Sequence, residues 1–254
     1  MNNQTSSLSK LVLLCSILAL IPSAFAQVKA PEMLAETWVM TPKAGAGAGA
    51  ELEKALKKHT AHRNKLEDPR DWQIFSQVLG NDLGSILVRS SGFTWADMDS
   101  YEAWSRDKNP QKHFNEYVDP AVSNYGHYLF TMDMANSHWP ADTEYNFVGV
   151  TTYVVKAGHY AAMKKDLKLM SDAARSPDWP YNWLWYESVS DGDLSLAVPF
   201  NNYADMAPAE QTFREFLTKT MESKEKADEL VGSWMSHFES TQYMVYRHRK
   251  DLMN

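Results

Sequence analysis

The sequence predicts an α+β fold in which one strand–helix–strand–strand–helix–strand unit is used twice. Three observations carry this. Displacing the 254-residue chain by 108 positions sets Pro69 on Pro177, Gly84 on Gly192, and Ala96-Asp97-Met98 on Ala204-Asp205-Met206. The helical stripe Leu52, Ala55, His59, His62, Leu66 falls on Tyr160, Met163, Leu167, Met170, Ala174 without a gap. Runs of strand-like and helix-like periodicity then follow one another in the same order in both halves. Self-similarity at a fixed period bears on the whole fold, and it divides the chain into a leader (1–26), a first repeat (27–139) and a second repeat (140–254).

The leader has the pattern of a secretory signal. Lys10 supplies a positive start, Leu11 to Ile21 an apolar stretch too short to span a bilayer, and Ala24-Phe25-Ala26 a small-x-small cleavage site before Gln27. The expectation is an exported protein, periplasmic or extracellular. Cleavage would remove the only cysteine, Cys15, leaving no disulfide and no thiol chemistry. No later run has membrane-spanning length, so no membrane span is expected. The formal charge of −7 argues against a nucleic-acid partner. Nine tryptophans in a chain with 12% aromatics favour an aromatic-lined pocket for an apolar or aromatic small molecule. A fused pair can satisfy its own interface, so both a monomer and a homo-oligomer stay open.

The first repeat opens with a strand over 33–41, in which Leu34, Trp38 and Met40 share a face interrupted by Glu36. Ala44 to Ala50, AGAGAGA, reads as a small-residue linker without a counterpart in the second half. A helix over 51–67 buries the stripe that carries His59 and His62, and Asp68-Pro69 stops it. Strands over 72–79 and 85–90 join through Gly80-Asn81-Asp82-Leu83-Gly84, a hairpin signal. Helices over 95–105 and 111–124 and a strand over 128–134 complete the unit. The second repeat gives strands over 145–156, 182–189, 194–200 and 242–247, with helices over 159–175, 209–221 and 224–238. This is the ferredoxin-like order. It places helices on one face of each antiparallel sheet and leaves the other face to be covered, most simply by the sister sheet packed face to face.

Two such units in one chain resemble the dimeric α+β barrel superfamily in tandem-fused form. The resemblance rests on Thr37-Trp38 with Thr152-Tyr153, the Gly84 and Gly192 hairpins, and the two Ala-Asp-Met segments. It spans nearly all the chain beyond the leader. It implies kinship with cofactor-independent monooxygenases, haem-binding and chlorite dismutase-like proteins, or NIPSNAP-like proteins, and fold alone does not choose among them.

His59 and His62 lie one helical turn apart on the buried face, where the sister helix carries Leu167 and Met170. An imidazole on an apolar face needs a hydrogen-bond partner, a metal or a wet cavity. Two placements remain open: a pocket wall in the first repeat, with His113, Glu36 and Trp38 beside the pair, or a boundary pair satisfied by side-chain hydrogen bonds. In the second repeat Trp183 and Trp185 share one strand face and form a candidate aromatic wall. The repeated Asp97 and Asp205 read as caps of backbone N–H groups. Gly-rich phosphate loops, nucleophile elbows and His-Glu-x-x-His motifs are missing. No cofactor is expected, with haem or a divalent metal at the histidines as the alternative. The functional expectation is a small-molecule-binding barrel, with cofactor-independent oxygenase-like chemistry as its enzymatic form. A non-enzymatic structural or interaction module is the competing expectation.

Overall fold

The computed structural model describes residues 32–253, so the leader lies outside the described residues. The first half runs β1 (Met33–Pro42), α1 (Ala48–Lys65), β2 (Gln73–Leu79), β3 (Ile86–Phe93), α2 (Trp95–Lys108), α3 (Pro110–Tyr117) and β4 (Val122–Met132). The second runs β5 (Phe147–Val155), α4 (Tyr160–Ala174), β6 (Leu184–Ser188), β7 (Leu194–Phe200), α5 (Phe213–Thr220), α6 (Lys224–Ser236) and β8 (Phe238–His248).

All strand pairs are antiparallel, and the eight strands form one closed barrel in the order β1-β3-β2-β8-β5-β7-β6-β4. Within each half the order is fourth, first, third, second. The two four-stranded sets are joined to each other at both edges, which makes one barrel. Phe75–Gln77 of β2 pair with Tyr246–His248 of β8, and Phe130–Met132 of β4 pair with Tyr186–Ser188 of β6. Closure removes the unpaired edges that two separate sheets would expose.

Strand alternation then produces three cores. Outside the barrel, Leu52 and Leu56 of α1 pack on Met40, Ile74 and Ile86. In the second half Met163 and Leu167 of α4, Leu217 of α5 and Trp234 of α6 pack on Trp183, Trp185 and Phe238. The third core is the barrel interior, built from Phe75, Val148, Val150, Leu184, Tyr186 and Ala197.

Two expected boundaries differ. The helix expected over 111–124 ends at Tyr117, because Asp119-Pro120 cannot continue it, and β4 begins at Val122. Tyr125 is therefore a strand residue. The AGAGAGA segment is only partly a linker: Gly47, at φ +82°, turns the chain, and α1 starts at Ala48. Both repeated aspartates accept backbone N–H groups, Asp97 from Thr94 at 2.8 Å and Asp205 from Asn201 at 2.9 Å.

Candidate functional site: the barrel interior

α1 and α3 bring three of the expected site histidines together on the outside of the barrel. His59 is 5% exposed, and its Nδ1 lies 3.1 Å from Nδ1 of His113. One of the two must carry the hydrogen and the other accept it. His62 stacks flat on His113, with ring centroids 4.2 Å apart. Burial, reinforced by Arg63, His113 and His62, pushes the His59 pKa down to about 3. His113 is also shifted down, by burial and then by His62 and Lys58. His59 is thus held neutral against His113, and the His62 ring stacks on His113.

Glu36 and Trp38 form a separate group on the helix-facing side of β1. Glu36 is buried and ion-paired to Arg70, accepts from Trp38 Nε1 at 3.0 Å, and bonds His127 Nε2 at 2.8 Å. Trp38 stacks on His127 at 3.9 Å. This group shares no hydrogen bond or ring contact with the histidines. Trp183 and Trp185 also face the helices. Trp183 Nε1 donates to the Asn136 carbonyl at 2.8 Å, and Trp185 packs edge-on against Trp234. They are core residues, and the aromatic face of β6 that meets open space is the opposite one.

That space is the barrel interior, a cavity of about 670 Å³. The segment between β4 and β5 lies across one end with Trp139, Thr143 and Tyr145. The β2–β3 and β6–β7 hairpins frame the other with Asp82, Asp191 and Asp193. Phe75, Leu87, Phe130, Leu184, Tyr186 and Tyr246 supply the apolar and aromatic walls. Arg89 projects into it from the middle of β3, between its partners Thr37 on β1 and Gln73 on β2. Its Nη1 donates to Thr37 Oγ1 at 3.0 Å, and its guanidinium lies 4.8 Å from the Tyr186 ring centre. Tyr145 donates to Gln73 Oε1 at 2.8 Å. Burial lowers the Arg89 pKa, partly offset by Tyr186 and Tyr145, and burial raises both phenols. The site presents one guanidinium and two phenols, and because the Tyr145 O–H is donated to Gln73, the donors left for a guest are Arg89 and Tyr186.

Arg89, Tyr145 and Tyr186 were not among the expected site residues. The signal available was Arg89 itself, a lone cation in the run Ile86-Leu87-Val88-Arg89, where alternation gives it the face of Leu87.

The alternative of a haem or metal meets a poor fit. The helix-facing space of the second half is filled by Met163, Leu167, Trp183, Trp185, Trp234 and Phe238, each 6% exposed or less. Both ring nitrogens of His237 are engaged, by His159 at 3.1 Å and Asp166 at 2.9 Å. Among the described residues no three His, Cys, Asp or Glu side chains are arranged to hold a metal ion.

No protein-family model and no curated protein sequence matches the chain. Solved structures do. A candidate monooxygenase from Fusobacterium nucleatum superposes with a TM-score of 0.55 at 8% identity, over 87% of this chain and 94% of that one. An anthrone oxidase-like protein gives 0.50 at 11% identity, over 87% and 92%. A chlorite dismutase variant from Candidatus Nitrospira defluvii gives 0.52 at 9%, over 87% and 93%. At such identities the likeness is one of fold. What the chain shares with them is an antiparallel α+β barrel architecture. Among its described residues no helix is long and apolar enough to cross a membrane.

Proposed function

We propose that this protein is an exported binder of small, largely apolar organic molecules, which it takes into the interior of its barrel. Two ferredoxin-like repeats, 27–139 and 140–254, would each donate four strands to that enclosure. The observation that carries this is the cavity itself, about 670 Å³, with apolar and aromatic walls interspersed with polar side chains such as Thr37, Gln73 and Arg89. That is the size and chemistry of a ligand pocket rather than of a packed core. The leader pattern at 1–26 supports export. The names of the monooxygenase and anthrone oxidase-like neighbours support an oxygenase-like reaction as the enzymatic form. In that form the donors able to stabilise an oxyanion are Arg89 and Tyr186.

The test is fluorescence uptake of the neutral dye N-phenyl-1-naphthylamine. Saturable one-to-one binding is expected in the wild type and in His59→Ala/His62→Ala, and loss in Ala197→Trp, which fills the cavity from β7. Binding that survives Ala197→Trp but is lost in the double histidine variant would move the site to the outer helix face.

A further inference from the structure

The barrel interior holds a charge that no carboxylate among the described residues neutralises. Arg89 has no carboxylate within ion-pair distance among the described residues, and its hydrogen bond to Thr37 Oγ1 uses one of five N–H donors. The acidic side chains of the cavity, Asp82, Asp191 and Asp193, sit at the hairpin end, on or next to the turns. Arg89 lies midway along β3, and the charged or titratable groups whose field reaches it are the phenols of Tyr186 and Tyr145. Buried guanidinium groups in folded proteins are paired, because an uncompensated buried charge is strongly unfavourable. Elsewhere in this molecule the rule holds. Arg70 is paired to Glu36, Arg63 to Asp68 and Arg249 to Glu53. Arg89 departs from it at the one place where the side chain faces open space.

We propose that Arg89 is the anchor for an anionic headgroup, so that the barrel takes a planar aromatic acid, with a carboxylate, phenolate or sulfonate on Arg89 and the ring system against the aromatic walls. This deepens the proposed function and rests on its placement of the ligand in the barrel. The planar guanidinium presents its remaining N–H groups as a fork that matches an oxyanion. The Tyr186 ring lies along the guanidinium, and Phe130 stands 5.6 Å from it, so an aromatic acid meets apolar surface beside its charge. Thr37 fixes the guanidinium from the β1 side.

The experiment compares two dyes that share a ring system and differ in one charge, 1-anilinonaphthalene-8-sulfonate and N-phenyl-1-naphthylamine, on the wild type, Arg89→Gln and Arg89→Lys. The wild type is expected to bind the sulfonate at least ten-fold more tightly than the neutral dye. Arg89→Gln should lose at least ten-fold for the sulfonate and stay within two-fold for the neutral dye, with Arg89→Lys between. Without ligand, Arg89→Gln should melt ~2–4 °C higher than the wild type, since it removes an unpaired, half-buried charge; a structural arginine would give a lower melting temperature. A wild type that takes the neutral dye as tightly as the sulfonate overturns the anchor while leaving the barrel as the binding site, and that comparison stands even if the glutamine variant does not fold. Sulfonate affinity unchanged in Arg89→Gln overturns it too. A wild type that binds neither dye overturns both the anchor and the barrel site.

Discussion

A single position shows how the two halves diverge. His59 sits where the sister helix carries Leu167, and both side chains are buried. The leucine is at home there, whereas the imidazole is tolerated because His113 meets its Nδ1. With its folded pKa pushed down to about 3 and an unfolded value near 6.5, the unfolded chain binds the extra proton first. Stability is therefore fully present above about pH 6.5 and declines as the pH falls toward 3, with a slope of about 1.4 kcal/mol per pH unit from this residue. His59→Leu is expected to flatten that part of the profile, measured by urea denaturation between pH 4 and 7. An unchanged slope would mean that His59 does not carry it. Arg70 offers a second residue-scale test. It is the cation for the buried Glu36 carboxylate, so Arg70→Ala should cost about 3–5 kcal/mol of unfolding free energy in a denaturant titration. Spacing alone revealed that His59 and His62 share a buried face. It did not reveal their partner, because His113 arrives from another helix and contact between helices is not encoded in local periodicity.

Elements inherit their strength from what they bury. α2 and α5 each begin with a capping box, Thr94 with Asp97 and Thr212 with Glu215. α5 carries the fully buried Phe216 and Leu217, while α2 buries no residue. Removing the same cap should therefore give different results. Thr212→Ala should lower global stability by about 1 kcal/mol. Thr94→Ala should fray α2 with a much smaller change in the global midpoint, visible as faster amide exchange at Ala96–Met98. Equal global losses would show that α2 is as tightly coupled to the core as α5. The strands show what alternation can and cannot tell. Both faces of β6 were legible as buried from the run Trp183-Leu184-Trp185-Tyr186. Which face meets open space was not, since the choice between Trp185 and Tyr186 depends on barrel curvature and on where the helices lie. The α3–β4 boundary was missed for a simpler reason: Phe114, Val118 and Val122 keep a helical spacing across Asp119-Pro120, and the proline overrides it.

Across the whole molecule, the element order and the two hairpin turns were legible from the displaced repeat, and with them the strand order within each half. A barrel was implied by the resemblance to α+β barrel proteins, but which strands meet at its seams was not legible, because no local signal pairs them. One of those seams, β4–β6, is also the shortest ladder among the described strands. β4 meets β6 over Phe130–Met132, extended by Asp133 N–H to the Trp185 carbonyl and Val189 N–H to the Leu129 carbonyl, each at 2.9 Å. β2 meets β8 over Phe75–Gln77 before the register shifts. By contrast β1 pairs with β4 from Met33 to Pro42, and β5 pairs with β8 from Phe147 to Val155. Local opening follows the elements with the fewest protected hydrogen bonds. Native-state hydrogen exchange should therefore find the backbone amides of the β4–β6 seam opening at lower free energy than those of the β1–β4 and β5–β8 ladders, with β2–β8 between. The same seam carries Phe130 and Tyr186, two of the walls around Arg89. A ligand held there contacts both sides of the seam and binds only the closed barrel, so saturating 1-anilinonaphthalene-8-sulfonate should slow seam exchange more than exchange in the long ladders. Slowing that is uniform across the barrel would instead mean that the seam does not open separately from global unfolding.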